Sequence, residues 1–137
     1  MDLFVYGSLK KGFSNHHFLE GAVFLGQAVT RDAARLIDCG GFPGIVPPSG
    51  DGDYQIEGEV WRIQPESLPA IDWLEDVDTG IYCRTEWPVL LGEAVNRRET
   101  VATIYLYQGK GEGRKEVGPC WKKEWDTTKP YPKPENL

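Results

Sequence analysis

LFVYGSLK, residues 3–10, is the stretch on which the reading of this chain turns. Leu3, Phe4 and Val5 have the branched and aromatic character of a buried strand, and that strand runs straight into Gly7-Ser8. Gly7 can take a positive φ or let another group come close to the main chain. Successive amide N–H groups in such a turn form an anion-binding concavity without any basic side chain, so a carboxylate can dock there. The same letters also fit a plain turn after an N-terminal strand. A second site elsewhere in the chain has to decide.

The 137 residues, 40% of them hydrophobic, suit one domain over 1–137 with a single core, its tail over 126–137 open to an extended course. No apolar run approaches the roughly 20 residues that cross a bilayer, and the N-terminus lacks the pattern of a cleaved secretion signal. The expectation is a soluble, cytoplasmic protein with no membrane partner. Cys39, Cys83 and Cys120 are odd in number, widely spaced and free of C-x-x-C pairs, so neither a disulfide framework nor a zinc knuckle is indicated. With 15 basic against 21 acidic residues the net charge is −6, which opposes binding to phosphate backbones and leaves nucleic acid out as a partner.

Asn15 reads as the cap of a short helix through His16, His17, Phe18 and Leu19 that stops at Gly21. His16 and His17 are adjacent, point about 100° apart on a helix and cannot share a metal ion. Residues 22–30 and 33–38 read as strands, 40–44 (GGFPG) as a bent loop able to line a pocket, and 47–53 as a polar turn. YQIEGEVWRI at 54–63 alternates as a long strand, with Ile56, Gly58 and Val60 in one phase and Glu57, Glu59 and Trp61 in the other. Residues 81–91 read as a strand interrupted at Pro88, which belongs at a sheet edge or a bulge. TVATIYLY at 100–107 is apolar on both faces, as a central strand or a barrel wall requires. Beyond Gly109 the chain turns polar; Trp121 and Trp125, four apart, can dock one helical turn against the body, and 129–137 read as extended.

The second informative segment follows residue 66. Ser67 reads as a helix cap with Pro69 in the first turn, and Leu68, Ile71 and Leu74 define a buried stripe. Glu75, four residues beyond Ile71, falls beside that stripe at the helix end, whereas Glu66 and Asp72 project toward solvent or the helix start. A carboxyl desolvated there favours its acid form, and its pKa rises toward the range useful for moving protons near neutral pH. An ordinary acid at a surface helix end fits the same periodicity, because phase does not establish burial.

Three site types are set aside. Residues 7–12 have the glycine spacing of a Walker loop, but Phe13 stands where that loop needs lysine. Gly109, Gly111 and Gly113 lack the third glycine position and following helix of a dinucleotide fold, and read as a flexible hairpin end. Cys83 has no histidine near it in sequence and suits a small core residue.

FVYGSL at 4–9, FPGIV at 42–46, GEVW at 58–61 and IDWLEDVDTGIY at 71–82 resemble, in order and spacing, the gamma-glutamylcyclotransferase-like proteins, also called AIG2-like. The resemblance spans about residues 3–107. It implies an α+β fold, a small mixed, barrel-like β-sheet with short flanking helices and a ligand cavity at its mouth. It implies that Tyr6, Gly7, Ser8 and Leu9 hold a glutamyl moiety, largely by main chain, that Glu75 is the general acid/base, and that no metal or organic cofactor is required. Tyr82, seven residues after Glu75, has two readings: it orients Glu75 or the ligand, or it packs.

The activity so implied is cyclisation of a small-molecule gamma-glutamyl amine, peptide or conjugate to 5-oxoproline with release of the free amine. Folding the glutamyl chain back brings its α-nitrogen to the γ-carbonyl, and a single carboxyl with a raised pKa can move both protons. Selectivity for the leaving amine falls to the pocket rim, with Phe42, Trp87 and the tail carrying Trp121 as candidates. Glu59 is the reserve acid, with a structural role in its strand as the alternative. The rival reading is a noncatalytic small-molecule binding or regulatory protein of the same fold.

Overall fold

Leu3 pairs with Trp61 on one side and meets Thr103 on the other, and these two registers close a barrel around the first strand. The computed structural model describes residues 1–127 and 129–135. Five strands form the barrel: β1 (Asp2–Val5), β2 (Val23–Thr30), β5 (Glu57–Arg62), β6 (Tyr82–Leu91) and β7 (Arg98–Tyr107), in the order β1-β5-β2-β6-β7. All neighbours are antiparallel except β1 and β7, which run parallel. β3 (Arg35–Asp38) and β4 (Pro43–Val46) form a separate two-stranded ladder. Helix α1 (Leu68–Leu74) lies outside the barrel wall, and 3₁₀ turns occupy His16–Leu19, Pro65–Ser67 and Lys123–Trp125. The fold is α+β with a small mixed barrel and short helices, as expected.

Period-two alternation in β1 sorts its side chains between two cores. Phe4 and Tyr6 join Val60, Val89, Ala102 and Ile104 in one cluster, while Leu3 and Val5 join Ile71 of α1, Phe18 and Leu19 in the other. That is why β1 is apolar in both phases: barrel neighbours cover one face and helical segments the other. β5 is covered likewise, so Glu59 and Trp61 are buried along with Val60. Glu59 accepts bonds from the Lys11 amide (2.9 Å) and the Trp61 indole (3.0 Å), which gives it the structural role and keeps it out of the cavity described below.

Several expectations change on contact with the tertiary structure. Residues 43–44 of the expected loop belong to β4, because Gly44 lies so near Tyr107 that a Cβ on it would stand 2.7 Å from Tyr107 Cβ. β6 runs unbroken through Pro88. The Pro88 carbonyl accepts the Arg31 amide, so its ring nitrogen also faces the β2 side, one position past the last ladder pair at Thr30 and Val89, where no donor is needed. Residues after Gly113 are not a free hairpin end: Asp38 N–H donates to Lys115 O and Val117 N–H to Leu36 O, both at 2.9 Å. Trp121 is 1% exposed but sits ahead of the 3₁₀ turn rather than one helical turn from Trp125; the two rings meet edge-on at 5.4 Å. Ser67 occupies the cap position of α1 without a side-chain cap bond, since the preceding 3₁₀ turn already runs into the helix.

Among the described residues no helix is long and apolar enough to cross a membrane.

Candidate active site

β1 delivers the chain into the turn at residues 7–9, and α1 delivers Glu75 to the lining of the same cavity, of about 130 Å³. That is well above the roughly 10–15 Å³ needed to admit a single water, so the hollow is open to a small guest. Tyr6, Gly7, Ser8, Leu9, Glu75 and Tyr82 all line it, so the structure brings together every site residue expected from the sequence. Phe42 of the glycine-rich loop lines it too, whereas Trp87 and Trp121 do not.

The turn is held by Lys10 N–H donating to Gly7 O (3.1 Å) and Asn15 N–H to Ser8 O (2.8 Å). The amides of Gly7, Ser8 and Leu9 themselves find no acceptor among the described residues. Gly7 does not have a positive φ; what requires glycine is close approach, since a Cβ there would lie 2.7 Å from Pro43 Cγ.

Glu75 caps the C-terminus of α1, its amide donating to Ile71 O at 3.0 Å. Asp76 then takes φ +51°, the left-handed conformation that ends helices and that Asp tolerates better than most residues. This break turns the Glu75 side chain into the cavity. Glu75 is half-buried, and it makes no side-chain hydrogen bond or ion pair among the described residues. Desolvation, reinforced by the nearby Asp76 and Asp72 charges, pushes its pKa up to about 8. The expected rise of the Glu75 pKa is therefore present.

Asp72 is more engaged than its expected solvent-facing position implies: it accepts from Arg84 Nε at 3.0 Å and from the Tyr105 hydroxyl at 2.7 Å. The Tyr6 hydroxyl donates to Tyr105 O and the Tyr82 hydroxyl to Pro43 O, each at 2.5 Å. Burial raises both phenols well above their ordinary pKa, with the Glu75 charge adding to it. Each phenol stays protonated, its proton committed to a carbonyl. Tyr82 makes no hydrogen bond to Glu75; it fastens β6 to β4.

Two residues at the cavity had no reading as site residues. Asn15, expected as a helix cap, makes no cap bond; its Nδ2 donates to Ser8 Oγ (3.0 Å) and its Oδ1 accepts from the Tyr131 amide (3.0 Å). Tyr131 arrives from the tail, and its only sequence signal is an aromatic set between prolines in a segment disposed to run extended. His16 and His17 each hold a main-chain carbonyl, Leu9 O at 2.8 Å and Tyr131 O at 2.6 Å. Among the described residues no cluster of metal-binding side chains occurs, and no lysine or arginine lines the cavity.

A closed small barrel with a cavity lined by both the turn after its first strand and one half-buried carboxyl defines the class of fold and site. The chain belongs to the family described as gamma-glutamyl cyclotransferase, AIG2-like, whose profile matches residues 3–127. A Vibrio cholerae protein bearing a provisional gamma-glutamylcyclotransferase name is 36% identical over 112 residues, covering 77% of this chain and 81% of that protein. The gamma-glutamylcyclotransferase family protein YtfP of Escherichia coli K12 is 32% identical over 115 residues, covering 84% and 89%. In structure, an AIG2-like protein of Mus musculus superposes with a TM-score of 0.74 at 24% identity, over 99% of this chain and 97% of that one, a likeness of fold.

Proposed function

We propose that the protein cyclises a gamma-glutamyl amine, peptide or conjugate to 5-oxoproline and releases the free amine, with Glu75 as general acid/base. The observation that carries this reading is a carboxyl of pKa about 8, free of internal partners, lining the same cavity as three unpaired amides.

The unpaired amides of Gly7, Ser8 and Leu9 take the α-carboxylate or the developing oxyanion of the substrate, and Glu75 meets its α-ammonium. An ammonium beside Glu75 favours the ionised carboxylate, so binding prepares the base. Glu75 removes a proton from the ammonium, and the freed nitrogen pair attacks the γ-carbonyl carbon. Charge gathers on the carbonyl oxygen while the attacking nitrogen carries a second, now acidic, proton; as the charge returns, the bond to the leaving nitrogen breaks and Glu75 gives that nitrogen the first proton, then, again a carboxylate, takes the second from the ring nitrogen and passes it to the departing amine, which leaves as its ammonium. One carboxyl thus serves both steps, and confinement of the bent glutamyl chain lowers the entropic barrier.

The test is 5-oxoproline release from a panel of gamma-glutamyl amines and dipeptides by wild type and Glu75→Gln. Turnover by wild type and a loss of about 10²–10⁴-fold in the variant is expected for a general acid/base. Unchanged turnover in the variant removes Glu75 from the role. Binding without turnover across the panel instead identifies a noncatalytic binding protein.

A further inference from the structure

The tail does not merely pass the cavity; it is tied to it at Tyr131 from both sides of the main chain. The Tyr131 amide donates to Asn15 Oδ1 (3.0 Å), its carbonyl accepts from His17 Nε2 (2.6 Å), and its ring meets Trp73 edge-on at 6.2 Å. Asn15 also donates to Ser8 Oγ, so one side chain fixes the tail relative to the amide-bearing turn. Upstream, Asp126 accepts from Ser14 N–H and Oγ–H at 2.6 and 3.0 Å. Tyr131 is nevertheless 52% exposed, and with Phe42 (37%) and Ile81 (41%) it is one of the exposed large hydrophobic residues of the cavity lining. An aromatic held in place by its backbone while its ring stays open to solvent is arranged to meet a ligand.

We propose that Tyr131 is a specificity-determining residue: its ring forms, with Phe42 and Ile81, an apolar rim against which the amine half of the substrate packs. The site therefore favours gamma-glutamyl amines with an apolar body next to the scissile nitrogen. Asn15 is the positioning residue that sets the ring. This rests on reading the cavity as a gamma-glutamyl site: with the glutamyl half between the amides and Glu75, the other half must leave through the mouth. Among the described residues no lysine or arginine lines the cavity to pair with a carboxylate there.

The experiment compares gamma-glutamyl-benzylamide with gamma-glutamyl-methylamide on wild type, Tyr131→Phe and Tyr131→Ala, following kcat and KM separately. The alanine variant should lower the benzyl-to-methyl ratio of kcat/KM about tenfold, through KM for the benzylamide, while the phenylalanine variant keeps the wild-type ratio. A ratio unchanged by Tyr131→Ala, or an equal loss on both substrates, overturns the proposal. Turnover of the methylamide by wild type separately tests the cyclotransferase reading. Should wild type turn over neither, calorimetry of the two amides on the same three proteins reads the ratio of dissociation constants; failure of both to bind, or a ratio indifferent to the ring, overturns the proposal.

Discussion

Gly7 lies so close beneath Pro43 that a methyl group on its α-carbon would stand 2.7 Å from Pro43 Cγ. The amide-bearing turn and β4 are thus locked face to face, and Pro43 in turn holds the Tyr82 hydroxyl through its carbonyl. Two of the cavity's walls, the turn and β4, meet at this contact.

Gly7→Ala is expected to force those walls apart. Overpacking of this kind costs about 1–3 kcal/mol. Denaturation midpoints should fall accordingly, and activity should fall further than stability, because the displaced amides belong to the site. A variant as active and as stable as wild type would show that the contact yields freely.

Activity should carry an acid limb set by Glu75. Its carboxyl, raised to about 8 by desolvation, must be ionised to accept a proton. In the free enzyme kcat/KM should therefore rise about tenfold per pH unit below about 8, then level. A flat profile between pH 6 and 8 in wild type would remove Glu75 as the base.

The same desolvation should appear in stability. Glu75 holds its proton up to about pH 8 when folded but releases it near 4.5 when unfolded. The folded state then binds the extra proton between those values, so stability is full below about 4.5 and declines as pH rises toward 8. Glu75→Gln has no proton to lose. It should exceed wild type by about 1–3 kcal/mol at pH 9 and lose that margin at pH 4, measured by chemical denaturation. An equal margin at both pH values would contradict the desolvation of this carboxyl.

Asn15→Ala removes the bonds to Ser8 and Tyr131 together. The expected cost is about 1–2 kcal/mol. The more telling sign is local: limited proteolysis should cut around residues 129–135 faster while the barrel stays intact. Unaltered cleavage of that segment would mean that other contacts hold the tail.

Much of this was legible along the chain because it depends on neighbours in sequence. The two-phase apolar character of residues 3–5 and 100–107 marked barrel walls, buried in both phases at Leu3, Phe4 and Val5 and from Ala102 to Tyr105, with Val101 left exposed. The spacing of Leu68, Ile71 and Leu74 placed Glu75 at the edge of a buried stripe. The order of FVYGSL, FPGIV and IDWLED pointed to the family. Pro88 was read as a break only because a sequence does not say which side of a strand its missing donor faces.

The chain's local chemistry thus determined the strands, the amide-rich turn and the acid at the helix end, since alternation, glycine and helical phase act over a few residues. Folding alone decided that Glu75 is desolvated, that the proton of Tyr82 goes to Pro43, and that Asn15 holds the tail instead of capping a helix. Each of these is a contact between segments distant in sequence. Burial and hydrogen-bond partnership come into being only when the barrel closes and the tail crosses its mouth.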